Sequence, residues 1–331
     1  MDKRERLQAT IEGRPVDRLA VALWRHFPVD DQRPEDLAAA TLEFQALYDF
    51  DFVKVTPASS FCIRDWGATD EWRGEPEGTR VYTRRPVSRP DDWLAIKPLD
   101  PRAGSLGGQV RALELIRAGL PAGTPFIQTI FSPLAQARNL AGAERLPVHL
   151  RQHHAELKAA LAVIAETTLR FVEAAKRTGI DGIFYAMQLA TNRVFSEAEY
   201  REFGEPYDRQ ILEAAGDLWL NVLHLHGDEV MFDLAASYPA HVINWHDRET
   251  QPTLGAGTKK FGGAVCGGWR QWETMVRGAP EAVRAEAQSA IAETNGRKLI
   301  LGTGCVTPTT APRANLRAAR EVVGKRWQAF E

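Results

Sequence analysis

Short apolar runs recur along the chain, each bounded by turn residues and followed by a stretch with helical spacing. The runs that read as strands cover residues 19–24, 51–56, 125–131, 181–186, 219–225, 242–245, 261–265 and 298–301. Between them, the pattern predicts helices over residues 34–48, 146–178, 196–215 and 280–295. Ser196-Glu197-Ala198-Glu199 fits a capping pattern, and Gly179 stands where a helix-terminating glycine belongs. Residues 70–97, rich in arginine, read as a hairpin-like excursion after the second strand. Eight strands alternating with helices predict an α/β fold, a single (β/α)8 TIM barrel spanning residues 1–331 as one domain. A doubly wound open sheet shares the same alternation and stays open as an alternative.

A barrel places its chemistry where strands end and βα loops begin. His224 and His226 close the fifth run and, two apart on a strand, project to one face. Cys305 follows the last run and arrives at the same end if both runs belong to one sheet. Two imidazoles and a thiolate suit Zn²⁺, which in catalytic sites keeps a further position open. Asp228, two residues on, is placed to orient a ligand imidazole or to cap a helix. His246, with Asp247, forms a second polar strand end, suited to acid–base work or to the substrate rim. Arg25 and His26 end the first strand and are candidates for an anionic substrate group, since guanidinium matches carboxylate in a planar fork. Ser132 and Gln188 fall at two further strand ends and join the candidate substrate contacts. Cys266, between Gly262-Gly263 and Gly267-Gly268, reads as a packing residue or a thiol near the substrate.

Composition narrows the function classes. A net charge of −2, without a basic stripe, gives no reason to invoke nucleic acid or an anionic membrane. No apolar segment approaches bilayer length, and the charged start, Met1 to Arg6, is followed by no apolar signal core. Three cysteines in 331 residues do not make a disulfide framework, so a reducing cytoplasm is the expected compartment.

Several tokens recur in a family-like order: Arg4-Glu5-Arg6-Leu7, Gly13-Arg14-Pro15-Val16-Asp17-Arg18, Phe52-Val53-Lys54-Val55 and Phe203-Gly204-Glu205-Pro206-Tyr207. To these are added His224-Leu225-His226-Gly227 and Gly304-Cys305-Val306-Thr307-Pro308 with Asn315-Leu316. Together they resemble the uroporphyrinogen decarboxylase superfamily, and within it the zinc methyltransferase branch. The resemblance covers almost the whole chain and implies a (β/α)8 barrel. That branch carries a His-x-Cys pair and a late Cys as zinc ligands. The resemblance therefore implies ligands at His224, at His226 in place of the middle Cys, and at Cys305. It further implies methyl transfer from methylcobalamin on a corrinoid partner protein to a thiol or folate acceptor, and it allows a homodimer. Two alternatives remain at this point. One is cofactor-free decarboxylation of tetrapyrrole acetate groups, with Arg25 and arginines of residues 64–89 as clamps; residues 56–60, where that activity places an aspartate, contain no carboxylate. The other is a non-catalytic barrel that binds a corrinoid or partner.

Overall fold

A computed structural model describes residues 1–324, so positions 325–331 of the expected domain lie outside the described residues. In chain order the strands are β1 (Ala20–Val21), β2 (Val53–Val55), β3 (Thr69–Glu71), β4 (Val81–Arg84) and β5 (Phe126–Phe131). They continue with β6 (Gly182–Met187), β7 (Val222–Leu225), β8 (Val242–Asn244), β9 (Ala264–Trp269) and β10 (Leu299–Thr303). Eight of them form one sheet in the order β1-β10-β9-β8-β7-β6-β5-β2, while β3 and β4 pair as a separate antiparallel hairpin. All pairs within the large sheet are parallel, as βαβ crossovers require. Strands such as β5, β6 and β9 are buried along their whole length, which explains their near-continuous apolar runs.

Asp51 brings the two ends of this sheet together. Its backbone N–H donates to the Val21 carbonyl at 2.9 Å, and its carboxylate accepts the Val21 N–H at 2.8 Å. The same carboxylate receives Arg6 at 2.7 Å and Arg18 at 2.8 and 2.9 Å, all three side chains being buried. A buried carboxylate persists only when its lone pairs are met by such donors. Arg6 and Arg18, one from each N-terminal token, are thus structural, strapping the helix Lys3–Glu12 to the β1–β2 seam.

Two expected helices are each broken once. The span 146–178 is divided into Arg145–Gln152 and His154–Lys176 at His153, whose φ of −136° leaves the helical region. The span 196–215 is divided at Gly204, just before Pro206, into Glu197–Phe203 and Glu205–Ala214. The strand expected at 261–265 lies further along, as Ala264–Trp269. Gly267 and Gly268 punctuate the sequence like a loop, yet they are strand residues. A Cβ on Gly267 would stand 2.2 Å from Oδ1 of Asp247, so glycine there admits that carboxylate, which accepts the Gly268 N–H at 3.2 Å.

The excursion after β2 covers part of the barrel mouth. The Pro76 carbonyl accepts the Thr309 N–H at 2.7 Å and its hydroxyl at 2.9 Å, and Trp272 Nε1 donates to Glu77 at 2.8 Å. Gly78 lies against His26, where any Cβ would come within 2.3 Å of the histidine's own Cβ.

Candidate metal centre

His224 stands on β7 with Asn244 of β8 as its register partner, and Asn244 in turn faces Cys266 of β9. The Asn244 amide nitrogen donates to the carbonyls of Cys266 at 2.8 Å and Thr303 at 3.0 Å. Its oxygen therefore turns to Nδ1 of His224, 2.7 Å away, and can only accept there. Nδ1 carries the proton, and Nε2 presents its lone pair toward Cys305, whose sulfur is 3.5 Å away.

His226, just beyond the end of β7, brings Nδ1 within 3.6 Å of the same sulfur. His246, after β8, completes the group: ligand atoms of His224, His226, His246 and Cys305 all lie within 4.8 Å of one another. Nε2 of His246 is buried and meets no hydrogen-bond partner, while Nδ1 is 3.3 Å from Glu249. Burial alone would raise the Cys305 thiol, but the surrounding imidazoles reverse that and hold it well below the usual thiol range. Burial keeps His224 below the ordinary imidazole value, against the pull of the sulfur. His246 moves the other way: burial opposes its charge, yet Cys305 and Glu249 raise it. An anionic sulfur ringed by three imidazoles, one of them with an orphaned ring nitrogen, is a donor set that fits Zn²⁺.

The remaining candidates divide. Gln188 lines a cavity of about 210 Å³ that reaches His226 and is also bounded by Arg138, Thr191, Arg193 and Phe195. Ser132 is buried and caps the helix Pro133–Ala141, accepting the Ala135 N–H at 3.3 Å. Cys266 lies within β9, fully buried against Gly302, and burial pushes its thiol far above the usual range. It is core, because the strand extends past it instead of ending before it. Asp228 does not reach an imidazole. It is exposed and pairs with Arg193 at 2.5 Å, since Gly227 in the left-handed region (φ 86°) turns the chain outward. The orienting role expected of it falls to Asn244, whose only sequence signal is one polar residue in an apolar run. Arg25 packs over the rings of Phe27 and Phe44, at 5.4 and 5.6 Å, and its Nη1 reaches the Thr309 carbonyl at 3.4 Å. His26 lies beneath the hairpin with Nδ1 unpartnered; burial, then Lys54, lower it to about 3.

Lys54 is a residue that strand-end reasoning missed. Its ammonium is buried, bonded to Thr56 Oγ1 at 3.2 Å and set 4.5 Å from the centroid of Phe184, a ring that also stacks on His224. Burial lowers it to about 7. Its place in the middle of a valine-flanked strand could have flagged it.

The strand order and the centre at its carboxyl edge define an α/β barrel with a nitrogen–sulfur metal-type site. The chain belongs to the uroporphyrinogen decarboxylase (URO-D) family, whose model matches residues 2–326. A methyltransferase from Methanosarcina mazei superposes with a TM-score of 0.85 at 19% identity, over 97% of this chain and 98% of that one. A B12-independent methionine synthase from Shewanella sp. W3-18-1 follows at 0.59 and 15% identity, covering 96% of each chain. A protein described as a putative vitamin-B12 independent methionine synthase from Listeria monocytogenes superposes at 0.54 and 11%, over 89% of this chain and 85% of that one. At these identities the likeness carries the fold. No curated protein sequence matches the chain. No helix among the described residues is long and apolar enough to cross a membrane.

Proposed function

We propose that this protein is a zinc-dependent methyltransferase, moving a methyl group from a methylcorrinoid (methylcobalamin) on a partner protein to a thiol or folate acceptor. The observation that carries this reading is the meeting of His224, His226 and Cys305 beside the orphaned Nε2 of His246. Those first three residues would hold the ion. Zinc, when bound, supplies Lewis acidity that keeps an acceptor thiol ionised at neutral pH. Asn244 fixes the tautomer of His224 so that Nε2 stays free to ligate. His246, with Nε2 unpartnered beside those three residues and Nδ1 3.3 Å from Glu249, closes the remaining side of the group. The cavity of about 210 Å³ beside His226, with Gln188 on its wall, receives the body of the substrate. The name of the Methanosarcina neighbour supports the reaction class. On this reading the chain works as one barrel domain in the reducing cytoplasm, where Cys305 stays available as a ligand.

Elemental analysis of the purified protein tests the reading. About one equivalent of zinc, lost in Cys305→Ala and reduced in His224→Ala, is expected. Methyl transfer from free methylcobalamin to a small thiol should follow the zinc content, and no coproporphyrinogen should form from uroporphyrinogen. Metal-free protein, or zinc unaffected by both substitutions, overturns it.

A further inference from the structure

Three arginines gather at one side of the barrel rim, about the C-terminal end of the helix Pro133–Ala141. Arg85, just past β4, donates through Nη1 to the carbonyls of Arg138 at 3.3 Å and Asn139 at 2.5 Å, with its guanidinium 4.5 Å from the Tyr82 ring centroid. Arg145 Nη1 donates to the Ala141 carbonyl at 3.2 Å. Gly142 lies between them: a Cβ there would be 3.5 Å from Cδ of Arg85 and 3.9 Å from Nη1 of Arg145. Among the described residues, none of Arg85, Arg138 and Arg145 forms an ion pair, whereas nearby Arg151 and Arg193 do. Burial and then the like charges of Arg138 and Arg145 depress the ionisation of Arg85. Like charges gathered at a half-covered rim repel one another, and an anion of matching charge relieves this. Arg138 also lines the cavity that ends at His226, and through that side chain the cluster adjoins the centre.

We propose that Arg85, Arg138 and Arg145 form a seat for a multiply charged anionic group, a phosphate or a pair of carboxylates, on the small molecule whose reactive end lies at His226. The orientation rests on the methyltransferase reading; the seat itself does not. A singly charged group would leave most of the cluster's charge unmet. A dianion can take charge-assisted bonds from all three forks.

Calorimetric titration of the purified protein at low ionic strength, with inorganic phosphate, glutarate and acetate as probes, tests the seat. Phosphate or glutarate should bind at least tenfold more tightly than acetate. Arg138→Gln and Arg145→Gln should each weaken that binding about tenfold, the loss of one charge-assisted contact. Arg145 is exposed, so its variant keeps the test open if Arg138→Gln fails to fold. A preference for phosphate identifies a phosphoryl group and one for glutarate a dicarboxylate; both support the seat. Acetate binding equally well, or dianion binding unchanged in both variants, overturns it. Zinc content read on the same samples separates the two ideas. Anion selectivity without zinc sinks the methyltransferase reading alone, and zinc without anion selectivity sinks the seat alone.

Discussion

Asn244 Oδ1 stands 2.7 Å from Nδ1 of His224, and both hydrogens of its amide nitrogen are already committed to carbonyls on β9 and β10. The amide cannot flip without losing those two bonds, so it dictates which imidazole nitrogen is free. Asn244→Leu should weaken zinc binding about 10–100-fold, the usual cost of removing a ligand's orienting partner. Competition with a chromophoric chelator measures it. Asn244→Asp keeps the acceptor and should retain more affinity than the leucine variant.

Asp228 gives the opposite expectation. Its carboxylate pairs with Arg193 in the open, where water and salt screen the pair to little net worth. Asp228→Asn should leave zinc affinity within roughly twofold of the parent by the same chelator titration. A larger loss would place the carboxylate nearer the imidazoles than the structure does.

Lys54 sets a pH dependence of stability. The unfolded chain holds the proton up to about 10.5, while the folded chain releases it at about 7. Between those limits the unfolded state binds more protons, so stability rises with pH and falls again as pH drops toward 7. Lys54→Met should flatten that slope and, at pH 7, stabilise the fold by roughly 2–4 kcal/mol. Denaturant midpoints from pH 7 to 10, at matched zinc content, check this.

Removing Asp51 leaves the guanidiniums of Arg6 and Arg18 buried without their shared carboxylate. Breaking a buried pair in this way costs about 3–5 kcal/mol. Asp51→Ala should therefore lower the denaturation midpoint strongly. Hydrogen exchange should show the earliest loss of protection at β1 and β2, which the residue joins.

The barrel was legible because each of the eight apolar runs corresponds to a strand of the sheet. What the pattern misplaced was local. The strand expected at 261–265 runs on through Gly267 and Gly268, where Gly267 admits Asp247, so Cys266 lies inside β9 as the packing residue that was one of its two readings. The His224, His226 and Cys305 grouping was visible because a two-residue spacing fixes a common face, and a strand end fixes a common rim. The Asn244 contact was not visible, because cross-strand register is set by the whole ring and not by any local signal. The excursion over residues 70–97 was recognised as a hairpin. Its contacts with Thr309, Trp272 and His26 depend on loops far apart in sequence and could not be read from it.

The three cysteine thiols of this chain live in two different chemical worlds. Cys62 is pushed up to about 12 and Cys266 higher still by burial, while Cys305 is held as an anion by its histidines. A mild alkylating reagent therefore meets one nucleophile, not three, and meets it only when no ion occupies the sulfur. The protein thus carries an internal gauge of its own loading, which mass spectrometry of the labelled chain can read.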